Sequence, residues 1–248
     1  MAGLPGANVR WPGGCGGVLR VCWMDRFIAH FQPIADLKSG RILGYEALAR
    51  RVADDGAVDL PAAWLTELLA DREQARRLGT TMIGEAAAAL RALPEDVYVS
   101  INLEIADMLA ENFADVRREH SLDAIAHRLV VEVAERDVLT PQAVEWAAGA
   151  RALGARIALD DVGAGASRMA ALVDLEPTYL KLDASITRRL EEPGVARLVR
   201  FISAGARTLG AHIIVEGVEQ EAIAEAARKV GAIAGQGWHF GKPGPLPG

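Results

Sequence analysis

Arg156-Ile157-Ala158-Leu159-Asp160-Asp161 is a short apolar run that stops on two acids, and Tyr179-Leu180-Lys181-Leu182-Asp183 and His212-Ile213-Ile214-Val215-Glu216 repeat the pattern downstream. Short runs of this composition read as strands. The segment 194–209 between the last two is rich in Ala, Leu and Arg, which suits a helix. Strand, helix and strand in that order form a βα unit and call for a parallel sheet. Working outward, the same reading places strands at 28–34, 42–48, 97–103, 128–133 and 232–236, and helices over 61–93, 141–153 and 220–230. One helix is well punctuated: Thr140 can cap it, Pro141 takes the first helical position and Gly154 follows the end. Eight strands separated mostly by helices predict a closed (β/α)8 barrel, with an open doubly wound sheet as the competing arrangement.

The residues at the ends of these strands are Glu46, Asn102, Glu132, Asp160 with Asp161, Lys181 with Asp183, Glu216 and Gln236. All are polar and most are acidic. A barrel collects its active site at the C-terminal rim of its strands, so these groups should converge there. Six carboxylates in one partly dry cavity repel unless cations neutralise them. Two divalent ions with Lys181 bring five positive charges against six negative. Carboxylates and an Asn amide are hard oxygen donors, which favours Mg2+ or Mn2+ over Zn2+. The five histidines, His30, His120, His127, His212 and His239, form no pair at ligand spacing and read as surface or satisfied core. His239 alone falls near a strand end. Two oxygen-ligated metals side by side are suited to hydrolysing a phosphate ester.

The chain of 248 residues is 51% apolar and 24% charged, with a formal charge of −6, which excludes disordered and collagen-like classes. Mild acidity argues against a binder of nucleic-acid polymers. Only Cys15 and Cys22 occur, so no disulfide framework or zinc knuckle is encoded, and the expected location is the cytoplasm. No stretch approaches the length of an apolar membrane span. Residues 1–25 mix six glycines with Pro5 and Pro12 and read as a tail or linker, leaving 26–248 as the barrel domain.

The strings Phe31-Gln32-Pro33-Ile34, Tyr45-Glu46-Ala47-Leu48-Ala49-Arg50, Ile101-Asn102-Leu103, Val131-Glu132-Val133-Ala134-Glu135, Leu159-Asp160-Asp161-Val162-Gly163-Ala164-Gly165, Leu180-Lys181-Leu182-Asp183, Val215-Glu216-Gly217-Val218-Glu219 and Gly235-Gln236-Gly237-Trp238-His239-Phe240 together resemble the EAL domain. That resemblance implies a modified TIM-like barrel with one antiparallel strand. It also implies a metal-dependent phosphodiesterase that opens the bacterial second messenger cyclic di-GMP to linear pGpG. By position, Glu46, Asn102, Glu132 and Asp160 match ligands of one metal, and Asp160, Asp161 and Glu216 match those around the second. Lys181 matches the lysine on the attacking water. Gln32, Arg50, Asp183 and Gln236 match groups that contact or frame the substrate, and Glu135 matches a glutamate that props the loop after the Asp-Asp pair. The catalytic set implied is Glu46, Asp161, Lys181 and Glu216, and a homodimer is expected.

Two departures stand out. The family loop reads roughly Asp-Asp-Phe-Gly-(Thr or Ala)-Gly-Tyr-Ser-Ser, whereas this chain carries Val162, Ala166 and Arg168 at the Phe, Tyr and second Ser positions. A non-hydrolysing cyclic di-GMP receptor is therefore the alternative reading, and a scaffold without nucleotide the third. The chain also ends at Gly248 after Pro243-Gly244-Pro245-Leu246-Pro247, where the family usually continues into a final helix, which predicts an uncovered stretch of barrel wall.

Overall fold

The computed structural model describes residues 26–53, 55–102, 113–134, 141–163, 173 and 175–247. The strands are β1 (Arg26–Asp36), β2 (Ile42–Val52), β3 (Val58–Asp59), β4 (Tyr98–Asn102), β5 (Leu129–Ala134), β6 (Arg156–Val162), β7 (Tyr179–Leu182), β8 (His212–Val215) and β9 (Ala234–Gln236). The helices are α1 (Leu65–Leu69), α2 (Arg72–Ala92), α3 (Phe113–Glu119), α4 (Pro141–Ala152), α5 (Ala184–Thr187), α6 (Pro193–Thr208) and α7 (Glu221–Lys229). The sheet order β1-β9-β8-β7-β6-β5-β4-β2-β3, closed by pairing of β1 with β2, makes an eight-strand barrel with β3 hung on its edge. β1 runs antiparallel to both barrel neighbours, β2 and β9. The other barrel pairings, from β2 through β4 to β9, are parallel. The closed barrel with one reversed strand is thus present, and all eight expected strands occur.

Side chains of a strand alternate between faces, so each barrel strand feeds two cores. Between strands and helices lies an outer core containing Leu78, Met82, Leu90, Ile101, Leu159 and Val199. A separate inner core holds Ile34, Tyr98, Val130, Ala158, Tyr179, Ile214 and Ala234. Here the Tyr98 and Tyr179 rings stack at 5.5 Å, and the Arg156 guanidinium lies over both while donating to the Tyr179 hydroxyl at 2.8 Å. Gly44 makes room for this stack, because a Cβ there would sit 2.5 Å from the Tyr98 ring. These residues fill the lower barrel, and the acidic side chains stand above them.

Three expectations need correction. The single helix expected over 61–93 is a 3-10 turn at Pro61–Ala63, α1 and α2, because Asp71 caps the Glu73 and Gln74 N–H groups at 3.0 and 3.1 Å and starts a new helix. β2 does not stop near Glu46: it runs on to Val52 as a two-stranded ribbon with β1. The seam beside β1 is covered over Phe31, whose N–H donates to the Gly244 carbonyl at 2.6 Å and whose carbonyl accepts from the Gly244 N–H at 3.2 Å. Leu246 packs against the outer core beyond it. No helix among the described residues is long and apolar enough to cross a membrane.

Candidate active site

Strand alternation builds the site directly. Two residues above the inner-core positions Tyr98, Val130, Ala158, Tyr179, Ile214 and Ala234 stand Ser100, Glu132, Asp160, Lys181, Glu216 and Gln236. The residues that the sequence reading put at the rim thus come together on the inward face, and Glu46 joins them from β2, opposite Gln32 of β1 in register.

Lys181, 1% exposed, is the centre of the cluster. Its Nζ lies 2.8 Å from Glu132 Oε2, 2.8 Å from Glu216 Oε1, 3.2 Å from Asp160 Oδ1 and 3.5 Å from Glu46 Oε2. Burial disfavours the ammonium, but these four carboxylates outweigh it and hold the lysine well above its usual range. One cation cannot satisfy four anions. Burial raises Glu132 well above the usual carboxylate range, helped by the Glu46 charge and opposed by Lys181. Asp160 is raised by burial and by the Glu46 and Asp161 charges against the pull of Lys181. Glu216 is pushed up to about 8, again chiefly by burial. Only Glu46 falls below its usual range: burial pushes it up, but Lys181, Gln236 and Asn102 more than offset this. Gln236 Nε2 donates to Glu46 Oε2 at 2.5 Å, and Asn102 Nδ2 to Glu46 Oε1 at 3.3 Å.

The donor set fits divalent cations. Glu132 Oε1 is buried with no hydrogen-bond partner among the described residues, and Asp160 Oδ1 is close to Lys181 without lying in line for a hydrogen bond. Oxygens of Asp160, Asp161 and Glu216 lie within 4.8 Å of one another. Consecutive residues of a regular strand could not do this, since they face opposite sides. Asp161 adopts φ +57°, and the pairing of β6 with β7 slips between Leu159 and Val162, so the irregularity turns both carboxylates toward one place.

The remaining sequence-derived residues are distributed as follows. Gln32 and Gln236 meet each other, with Gln236 Nε2 donating to Gln32 Oε1 at 3.1 Å. Arg50 is buried four residues along β2 from Glu46 and donates to the Ala49 carbonyl at 2.8 Å. Asp183 is not in the acid cluster: its carboxylate caps α5 by accepting the Ser185 N–H at 2.9 Å, and such hydrogen bonds keep it below its usual range despite burial. His239 pairs with Glu221 at 3.0 Å and contacts no candidate ligand in the described cluster. Val162 is buried in β6. Glu135, Ala166, Arg168 and the tail 1–25 lie outside the described residues. The Gln32–Gln236 pair and its anchor on the Gly241 carbonyl, which accepts from Gln32 Nε2 at 3.2 Å, escaped the sequence reading. A backbone acceptor leaves no mark in a sequence.

Fold and site together define a modified barrel with an acidic, oxygen-donor rim. The EAL domain model matches residues 21–243, and the chain belongs to the EAL domain family. Among its relatives, the probable cyclic di-GMP phosphodiesterase PdeB of Escherichia coli K12 is 31% identical over 224 residues, covering 87% of this chain and 42% of PdeB. The probable cyclic di-GMP phosphodiesterase PdeI of the same organism is 29% identical, covering 90% of this chain and 31% of PdeI. The chain thus spans less than half the length of these curated relatives. Among solved structures, the PaMucR phosphodiesterase in complex with c-di-GMP has a TM-score of 0.75 at 26% identity, over 89% of this chain and 92% of that one. An EAL domain protein from Listeria monocytogenes EGD-e has a TM-score of 0.75 at 26% identity, over 88% of this chain and 89% of that one.

Proposed function

We propose that this chain is a metal-dependent phosphodiesterase that hydrolyses cyclic di-GMP to linear pGpG in the cytoplasm. The observation that carries the reading is a cluster of four carboxylates around one buried lysine, with Glu132 Oε1 left without a partner among the described residues, at the rim of an EAL barrel. Glu46, Asn102, Glu132, Asp160, Asp161 and Glu216 would hold two divalent ions, Mg2+ or Mn2+. Bound there, such ions lower the pKa of a water nucleophile and offset charge on the phosphate.

The chain's own residues do the rest. Lys181 is assigned to the attacking water, which its ammonium would orient by donating a hydrogen bond. Arg50 and Gln32, on the β1–β2 ribbon beside Glu46, are the groups for the substrate phosphate and its surroundings, and a guanidinium fork suits a phosphate. Gln236 frames the rim of the site beside Gln32 and Glu46. Asp183 frames the site from the N-terminus of α5, and Glu135 is assigned to support of the 162–168 loop.

Residues 1–25 are assigned as a Gly- and Pro-rich tail or linker to the domain 26–248. Homodimerisation through α6 fits its exposed Leu198 and Phe201, the latter 74% exposed. The reading is tested by incubating the purified chain with cyclic di-GMP and Mg2+ or Mn2+ and following pGpG by chromatography. Product in the parent and none in Glu46→Ala is the expected result. Val162, buried where the family has Phe, is the observation behind the second reading, a receptor that binds without turnover.

A further inference from the structure

The two site glutamines are links in a chain that begins outside the acid cluster. After β9, residues 237–244 leave the rim and return alongside β1 as a strap. Its ends are fixed: the His239 N–H donates to the Val218 carbonyl at 3.0 Å, and Gly244 exchanges two backbone hydrogen bonds with Phe31. Between these anchors Gly241 lies against Pro33, so closely that a Cβ would stand 2.7 Å from Pro33 Cγ, and its φ of +153° disfavours any side chain.

From Gly241 the contacts run inward without a break. Its carbonyl accepts from Gln32 Nε2 at 3.2 Å, Gln32 Oε1 accepts from Gln236 Nε2 at 3.1 Å, and the same nitrogen donates to Glu46 Oε2 at 2.5 Å. An amide nitrogen carries two hydrogens, and both on Gln236 are used. Flipping Gln236 would turn its carbonyl toward a carboxylate and lose both bonds. The orientation of each amide is therefore dictated by the one before it, back to a main-chain carbonyl that cannot flip. Asn102 holds the other Glu46 oxygen at 3.3 Å. A ligand carboxylate set in place before a cation arrives loses less freedom on binding it.

We propose that Gly241 is a positioning residue for Glu46, acting through Gln32 and Gln236, so that the strap 237–244 sets how tightly the centre holds its cation. This rests on the metal-centre reading above. The test is calorimetric titration of Mn2+ into substrate-free protein for the parent, Gly241→Ala, Gln32→Met and the double variant, with thermal melts in chelator to verify folding. Without substrate present, the contact assigned to Gln32 on the phosphate does not enter the readout. Each single variant should weaken Mn2+ binding about tenfold, the lower end of the range for outer-shell partners of a metal ligand. Because both break one chain, the double variant should be no weaker than either single. Parent-like affinity in Gln32→Met, or losses that multiply in the double variant, would overturn the proposal, and Gln32→Met decides it even if Gly241→Ala fails to fold. A parent that binds no Mn2+ would instead bring down the metal-centre reading beneath it.

Discussion

Lys181 and Asp161 show how single residues are held against their own preferences for the sake of the site. An ammonium among four carboxylates is tolerable only because each compensates the other, and breaking such a buried group by removing one partner costs ~3–5 kcal/mol. Lys181→Met should lose that much stability in chelator at pH 8, measured by urea unfolding, and a change below ~1 kcal/mol would show that the acids are already neutral. Asp161 sits in a left-handed conformation at φ +57°, a strain of order 1 kcal/mol that glycine would relieve. Asp161→Gly should make the metal-free protein about 1 kcal/mol more stable while weakening Mn2+ binding, a gain and a loss from one substitution. Glu216 gives a pH test. Its folded-state pKa of about 8 is raised above the unfolded carboxylate value, so it favours folding at low pH, and that contribution is lost as pH rises through about 8. Under the proposed metal binding, ions would replace those protons, so the rise in melting temperature on adding Mn2+ should grow from pH 6 to pH 9. A rise independent of pH would contradict the assignment of Glu216 as a ligand. Asp160, Asp161 and Glu216 were legible in the sequence because they end apolar runs, whereas Glu46 and Glu132 are single acids inside β2 and β5. Their geometry was not: nothing in Asp160-Asp161 tells which way either points, and the turn that aligns them is a backbone choice.

Among the elements, the barrel strands were the most legible, since strands buried on both faces read as continuous apolar runs. The break between α1 and α2 was harder to see, although its signal is present: Asp71 followed by Gln74 is a capping pattern, hidden because Leu, Glu, Arg and Ala continue on both sides. β3 has two residues and no pattern to read. The end of α2 rests on Arg128, which is buried and donates to the carbonyls of Leu90 at 2.8 Å, Leu93 at 3.1 Å, Pro94 at 2.5 Å and Val97 at 2.8 Å. This one fork satisfies acceptors that the helix terminus leaves open and ties α2 to the start of β4. Arg128→Met should cost about 3 kcal/mol, because several buried carbonyls lose their donor together. Differential scanning calorimetry would register it, with metal affinity unchanged; a parent-like melting temperature would mean that water takes over the contacts.

At the scale of the whole molecule, two cores divide the labour. The outer core holds helices to the barrel, and the inner core of Tyr98, Tyr179 and Arg156 closes the lower barrel beneath the carboxylates. That division explains how so acidic a rim fits into the fold: the apolar mass lies elsewhere, and Lys181 offsets part of the charge. It also leaves the central claim, hydrolysis at this rim, open to one direct measurement. Purified protein is mixed with cyclic di-GMP in Mg2+, Mn2+ or Ca2+, and nucleotides are separated by chromatography alongside a binding titration. The account predicts pGpG with Mg2+ or Mn2+ and none from Glu46→Ala. Tight binding with cyclic di-GMP recovered intact at saturating Mn2+ would contradict it and make the chain a receptor.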